Sequence, residues 1–476
     1  MGLLTPVELV EVSELGPVHF IAIGGSGMNG IASALLHLGV PVSGSDRQDS
    51  KYLRALEAQG ARVFVGHDAD QLADDVQTVV ASSAIREDNP ELAKARSRGL
   101  RVLHRSAALG SIMLGRRGVA VAGTHGKTTT TAMISHVLSG VGADPSYVIG
   151  GSLTGASTGG HIGGGDAFVV EADESDGSFL QYPAEIAVVT NVDPDHLSNW
   201  GTAENYADGF LRFATGRTVR LLVISADDPG AVALSERVRA LAGEWPRIVT
   251  FGEAEGADIG ISDAVFEGTG SSFTLAGEPV RLRVPGDYNI WNAAAAYAVA
   301  VALGADPAAV RAELETYGGT KRRFQLIGTV DDIRVYDDYA HHPTEVANTL
   351  RAARTGVAGT GGRVVACFQP HLYTRTRDFW RELAAALELA DQAVVMDVCG
   401  DREDPIPGID GAMVAEAVTP GTAEVTYVPG WDDAAPTVAR IARPGDLVVT
   451  LGCGDVTKVA PLIVAELASQ QRERGI

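Results

Sequence analysis

The sequence predicts an α/β fold of three consecutive domains, and three observations predict it. Short apolar, β-rich runs alternate with segments of helical period through most of the 476 residues, the pattern of parallel strands joined by crossover helices. Two glycine-rich loops, Gly25 to Gly30 and Gly123 to Gly126, each follow such a run and open a helical segment. At roughly 150 residues per domain, the chain has the length of about three domains and is too long for one core.

The first series of strands reads "VHFIAIGG", "VPVSGSD", "RVFVG" and "TVVASSA", with a helix over 29–38 and another ending near Met113. A boundary is expected at about Leu114. The second series reads "GRRGVAVAG", "AFVVEADE", "IAVVTNVDPDH", "RLLVISADD" and "RIVTFGE". The more polar stretch 259–285, with turn signals "EGTGSS" and "AGEP", predicts antiparallel strands. Two helices follow, "NIWNAAAAYAVAVALG", ended by Gly304, and "DPAAVRAELETYGG". A third series opens near Thr320 with "RVYDDYA", "RVVACFQPH", "QAVVMDV" and "DLVVTLGCG"; Arg354 to Arg363 reads as a flexible surface loop.

Composition excludes several functions. A formal charge of −22 argues against nucleic acid as the main partner, because phosphate-backbone binding needs a basic surface. Cys367, Cys399 and Cys453 are widely spaced, without CxxC pairs, and predict reduced thiols rather than a disulfide framework or a zinc site. The N-terminal sequence carries acidic residues and does not read as a signal peptide. No apolar run reaches the roughly 18 to 20 residues of a membrane span. The expectation is a cytoplasmic chain without membrane insertion, acting as a monomer or weak homodimer.

The chemistry-bearing residues cluster where strands are predicted to end. The strict phosphate-loop pattern fails, since Val121 stands where its first glycine belongs, but Gly123-Thr124-His125-Gly126-Lys127-Thr128 between a strand and a helix keeps the physics. Glycines let backbone N–H groups turn toward a polyphosphate, and the helix presents its positive end. Lys127 is suited to the terminal phosphates and the Thr128 hydroxyl to Mg2+. A plain glycine turn would not call for a lysine there. In the first series, Gly25-x-Gly27-x-x-Gly30 with Asp46 closing the next strand fits a Rossmann-like loop for a pyrophosphate, in a UDP-sugar or in NAD. Glu171, Asp173, Glu174 and Asp176 crowd one strand end, and Asn191, Asp193, Asp195 and His196 crowd the next. Such carboxylates repel unless cations meet them, and Mg2+ is the simplest compensation. In the third series stand Lys321, Arg322 and Arg323, then Asp337, Asp338, His341 and His342 together at a strand end, and then His371, Arg375 and Arg377, the last three a cationic group suited to a carboxylate or a phosphate.

In this order, "GTHGKTTT", "EADESDGSF", "TNVDPDH", "NAAAAYAVA", "RRF", "DDYAHHPTE" and "QPH" resemble the Mur ligases of bacterial cell-wall synthesis. The resemblance covers essentially the whole chain. It implies a Rossmann-like UDP-sugar-binding domain at 1–114, a phosphate-loop ATPase domain at 115–319 with a parallel sheet and a small antiparallel one, and a Rossmann-like domain at 320–476 that binds the amino acid and closes the site. By motif it implies ATP on Gly123, Thr124, His125, Gly126, Lys127, Thr128 and Thr129, with Asn292 at the adenine, Arg323 near the phosphates and Asp338 near the ribose. It implies Mg2+, as two ions, on Thr128, Glu171 and His196. The UDP-sugar end would be Gly25, Ser26, Gly27, Met28, Gly30, Asp46, Ser82, His104, Arg105 and His196. Catalysis would rest on Lys127, Glu171, His196, Arg323, His342 and Arg375, the last two toward the amino acid.

The implied reaction joins L-alanine to UDP-N-acetylmuramate at the expense of ATP through an acyl phosphate. Several relatives carry a modified lysine on the helix after the histidine, and "AENYADGFLRFA" has no lysine; this points to the alanine-adding branch. Cys399 stands where tyrosine is frequent in the resembling sequences. The nearest rival attaches a recycled tripeptide to the same UDP-sugar. An NAD-dependent oxidoreductase would leave the second glycine loop and the carboxylates without a purpose, and a non-catalytic nucleotide sensor would do the same for Lys127, Glu171 and His196.

Overall fold

The computed structural model describes residues 3–150, 159–243, 245–267, 270–401 and 403–473. They form two compact units, one of Met1–Asp263, Phe273–Val280 and Ile290–Tyr317, the other of Ala264–Ser272, Arg281–Asn289 and Gly318–Ile476.

The first sheet consists of β1 (Val18–Ile21), β2 (Val42–Asp46), β3 (Arg62–Val65), β4 (Thr78–Ala81) and β5 (Arg101–His104), in the order β3-β2-β1-β4-β5, all parallel. Both β1 and β4 are buried along their whole length, which is why they read as unbroken apolar runs. The order reverses between β1 and β4, and that switch point is where parallel sheets bind ligands. A helix, Ser26–His37, leaves β1 there, starting three residues before its expected position because Gly25 serves as its N-cap.

The second sheet is built from β6 (Arg117–Ala122), β7 (Ser146–Val148), β8 (Gly160–His161), β9 (Ala167–Glu171), β10 (Ala184–Val189), β11 (Leu221–Ser225), β12 (Arg247–Gly252), β13 (Ile259–Glu267), β14 (Gly270–Leu275) and β15 (Glu278–Leu282). Its order is β15-β14-β13-β12-β11-β10-β6-β9-β7-β8. Strand β6 is central, parallel to β10 and β9 on either side. The chain from β13 to β15 has only two-residue connections between neighbours, which leaves antiparallel pairing as the sole option, as expected for 259–285. One apolar core joins both sheets, running from Phe20 and Leu35 through Phe168 and Phe179 to Phe210. The helix Tyr288–Ala302 ends at Gly304, whose φ of +100° only glycine adopts without strain.

The second unit holds β16 (Gln325–Val330), β17 (Ile333–Asp338), β18 (Val364–Phe368), β19 (Gln392–Met396), β20 (Glu424–Val428) and β21 (Leu447–Leu451), in the order β16-β17-β21-β18-β19-β20. Only β16 is antiparallel to its neighbour. The expected surface loop Arg354 to Arg363 is helical over its first four residues, because Pro343–Val357 runs into it. Its inward face carries Val346, Leu350, Ala353 and Val357 into the core, and that packing outweighs the glycine-rich composition beyond it.

Candidate active site

The phosphate-loop segment sits between β6 and the helix Lys127–Gly140. Gly123 has φ +140° and Gly126 φ +83°, so both glycines occupy backbone regions that residues with a Cβ adopt only rarely or under strain. The loop is pinned from below. The His125 N–H donates to Asn191 Oδ1 at 2.8 Å, Thr190 Oγ1 donates to the His125 carbonyl at 2.6 Å, and Thr124 Oγ1 meets Tyr206 OH at 2.9 Å. Asn292 is buried against the loop: its Oδ1 accepts from Thr130 Oγ1 at 3.0 Å, and a Cβ on Gly126 would lie 2.7 Å from it. Thr129 is buried on the same helix.

Lys127 folds back over the loop, donating to the carbonyls of Gly123 at 2.6 Å and Thr124 at 3.1 Å, with its Nζ 2.8 Å from Glu174 Oε2. Burial alone would lower the ammonium, but the carboxylates of Glu174, Asp173 and Glu171 outweigh it and hold Lys127 charged. The adjacent Thr128 Oγ1 donates to Glu171 Oε1 at 2.8 Å, and the Gly150 N–H donates to the other Glu171 oxygen at 2.8 Å. Glu174 is buried, and burial pushes its carboxyl up to about 7 against the pull of Lys127. His196, at the start of helix Leu197–Trp200 with φ +54°, lies 3.3 Å from Asp195 Oδ2 and 3.9 Å from Glu174 Oε1.

At the first glycine loop, the Gly24 N–H donates to Asp46 Oδ2 at 2.9 Å, which places Asp46 under the turn. Gly25 caps the helix; Ser26, whose side chain lies outside the described atoms, opens it, and Met28 is buried in the core. The guanidinium of Arg105 lies over Gly27, since a Cβ there would come 3.2 Å from Arg105 Nη1, and it pairs with Asp173 Oδ2 at 2.7 Å. Gly30 faces elsewhere, against the backbone of Gly159 and Gly160. His104 is tied to Ser83 Oγ at 3.1 Å and Ser106 Oγ at 2.9 Å, and Ser83 Oγ donates to Asp176 Oδ2 at 2.7 Å. Burial, and then the Arg105 charge beside it, press His104 down to about 4. Thus Ser83 carries the side-chain bonds at this edge, whereas Ser82 contributes its carbonyl to a turn with Ile85. Ser83 is the residue sequence reasoning left out, and Glu174 stands in that reasoning only as one of four crowded carboxylates, without a role of its own. Both stand a few positions past a strand end, where strand alternation no longer says which side chain turns inward.

In the second unit, Arg322 and Arg323 both stack on Tyr339, 4.6 and 5.1 Å from its ring centre. Asp338 is buried, accepting the Phe324 N–H and the Ala340 N–H at 2.7 Å each, and burial pushes its carboxyl up to about 6 although Arg323 opposes this. His342 caps the helix Pro343–Val357 in a capping box with Glu345, its ring edge-on to Phe379. Its neighbour His341 reaches the Tyr339 carbonyl at 3.1 Å and Glu345 at 3.3 Å, with the His371 ring 6.2 Å away. Burial depresses His341 to about 3, with Arg375 on helix Tyr373–Leu387 and His371 adding to the effect and Glu345 opposing it. The sequence signal for this division was present: His342-Pro343-Thr344-Glu345 places proline at the first helical position and glutamate at the third, which marks the histidine before them as a cap.

Among the described residues, no three His, Cys, Asp or Glu side chains converge as a ready-made metal cage. The paired Thr128 hydroxyl and Glu171 carboxylate nevertheless fit Mg2+, which takes hard oxygens, keeps water, and uses one or two protein groups beside substrate phosphates.

Three family profiles match the chain in order: the Mur ligase family catalytic domain over residues 17–117, the Mur ligase middle domain over 121–300, and the Mur ligase glutamate ligase domain over 322–454. The chain is 54% identical over 471 residues to the UDP-N-acetylmuramate-L-alanine ligase of Cutibacterium acnes, covering 98% of this chain and 99% of that protein. It resembles the crystal structure of the UDP-N-acetylmuramate-alanine ligase of Thermotoga maritima with a TM-score of 0.80 at 28% identity, over 95% of this chain and 99% of that one. A murein peptide ligase from Psychrobacter arcticus shares the fold, with a TM-score of 0.69 at 24% identity over 95% and 98% of the two chains. With three profiles in family order and a near full-length relative above half identity, the chain belongs to the Mur ligase family.

Proposed function

We propose that this chain is an ATP-dependent amide ligase joining L-alanine to the carboxylate of UDP-N-acetylmuramate, with release of ADP and phosphate. One observation carries the reading: Lys127 stands over a loop of two left-handed glycines in a chain 54% identical, nearly end to end, to an L-alanine ligase. A free carboxylate is a poor acyl donor, so the muramate carboxylate first takes the γ-phosphoryl group and becomes an acyl phosphate. Lys127 and the N–H groups opening its helix offset charge on the phosphoryl oxygens as it moves. The amine of alanine then attacks the acyl carbon, and phosphate leaves.

The assignments follow the motifs. Gly123 to Thr129 cradle ATP, with Asn292 at the adenine, Arg323 near the phosphates and Asp338 near the ribose. Thr128 and Glu171 would hold Mg2+, with a second ion at His196, and the metal would neutralise phosphate charge. Gly25 to Met28, Asp46, Ser82, His104 and Arg105 serve the UDP-sugar, with His196 between sugar and metal; His342 and Arg375 serve the amino acid. The three domains are assigned to 1–114, 115–319 and 320–476. No helix among the described residues is long and apolar enough to cross a membrane. We assign a cytoplasmic reaction without membrane insertion, carried out by a monomer or weak homodimer.

The test is phosphate release from MgATP with UDP-N-acetylmuramate present, comparing no acceptor, L-alanine, glycine, L-serine and the tripeptide. Release with L-alanine well above the others is expected. Release with the tripeptide alone would keep the chemistry and change the acceptor, and silence with every acceptor would overturn the reading.

A further inference from the structure

We infer that Glu174, which has been given no role of its own above, is a positioning residue that couples the phosphate-loop lysine to His196; the inference rests on the ligase reading. Three features of its surroundings point there. The side chain is 1% exposed, and its two carboxylate oxygens face different partners, Oε2 lying 2.8 Å from Lys127 Nζ and Oε1 3.9 Å from His196 Nε2. A carboxylate is kept that deep only against positive or hydrogen-bonding groups. Its backbone is fastened as well, since Trp200 Nε1 donates to the Glu174 carbonyl at 3.0 Å and Asn199 Nδ2 donates to the Ser175 carbonyl at 2.9 Å. Trp200 and Asn199 lie on the short helix that His196 opens, so the loop after β9 and the histidine's helix are fixed to each other independently of the side-chain pair.

The consequence is an exchange of partners. The Lys127 ammonium is held by Glu174 and by the carbonyls of Gly123 and Thr124. An arriving phosphate has to take that ammonium from Glu174, so the pair opposes nucleotide binding while fixing where lysine and histidine stand. Removing the carboxylate charge therefore has opposite effects on binding and on turnover. Loss of a mere structural support would weaken both together.

The experiment uses the full chain. Wild-type phosphate release with UDP-N-acetylmuramate and L-alanine is measured first, and its absence would be a failure of the ligase reading rather than of this one. With that activity in hand, Glu174→Gln is assayed for kcat, and for the Kd of MgADP alone by calorimetry. A tenfold or greater fall in kcat, with the Kd unchanged or tighter, is expected. A kcat within tenfold of wild type, or a weakened Kd, overturns the proposal. Should Glu174→Gln not fold, Glu174→Asp carries the same test, because it keeps the charge but withdraws it from both partners. A threefold or greater fall in kcat without a weaker Kd is then expected, and any other result overturns the proposal.

Discussion

The two glycine loops of the first unit look alike in sequence and are built for opposite reasons. In the loop after β6, Gly123 and Gly126 are there for their backbone angles, φ +140° and +83°. In the loop after β1, none of Gly24, Gly25, Gly27 and Gly30 has a positive φ, and the left-handed residue is Ala22, at +66°. Those glycines are there for room: Gly27 lies under the Arg105 guanidinium, and Gly30 lies against the backbone of Gly159 and Gly160. A glycine pattern therefore does not state whether conformation, a neighbour or neither stands against a side chain at each of its positions.

The largest effect that would break this comparison is at Gly123. Its φ is closed to alanine, and a Cβ would come within 1.9 Å of Thr190 Oγ1. Gly123→Ala is expected to cost at least about 3 kcal/mol of stability and to abolish nucleotide binding. Gly25→Ala is the control, since its φ is −59° and the nearest atom is the Ala22 carbonyl oxygen at 3.3 Å. It should unfold within about 1 kcal/mol of wild type in urea. Equal losses at the two positions would show that the loops are alike after all.

What was legible in the sequence follows the same division. The strands of both sheets could be read because β1, β4 and most of β6 are buried on both faces and so must be apolar throughout. The phosphate loop could be read because its chemistry is local: glycine, lysine and threonine act within six residues. Contacts made across the fold could not. That Gly30 meets Gly160 depends on β8 being laid beside the first helix, 130 residues later, and no spacing announces it. The same holds for Glu174, whose place between Lys127 and His196 needs three segments at once. The helix through Arg354 was missed because its core contacts, not its composition, sustain it.

A second prediction concerns the polar network beside the first loop. His104 is held neutral to about pH 4, against an ordinary value of 6.5, with Ser83, Ser106, Arg105, Asp173 and Asp176 around it. A depressed value stabilises the fold above the ordinary value, and that contribution is lost as pH falls from about 6.5 toward 4. His104→Asn keeps a capping side chain for helix Arg105–Met113 and removes the titration. Denaturation curves across this window should show the variant losing less stability than wild type, by up to about 3 kcal/mol. His341 titrates in the same direction in both proteins and cancels in the difference. Identical slopes would mean that the network tolerates a charged His104.

The smallest effects sharpen the comparison most, because they separate two kinds of room within one loop. A methyl on Gly30 would come 3.1 Å from the Gly159 carbonyl carbon and 3.2 Å from the Gly160 nitrogen, and neither backbone can yield without moving β8. Gly30→Ala should cost about 1 to 3 kcal/mol and leave ATP binding intact. A methyl on Gly27 would have its nearest neighbours on the Arg105 side chain, with Nη1 at 3.2 Å, a long side chain that can swing aside. Gly27→Ala should therefore unfold within about 0.5 kcal/mol of wild type. Its cost appears elsewhere: a guanidinium pushed off Gly27 is pulled from Asp173, 2.7 Å away, and both stand at the proposed UDP-sugar end. A raised KM for UDP-N-acetylmuramate with an unchanged KM for ATP is the expected signature. If Gly27→Ala destabilised the chain as much as Gly30→Ala, the Arg105 side chain would be as fixed as backbone. The first loop would then be a rigid socket rather than a surface that side chains complete.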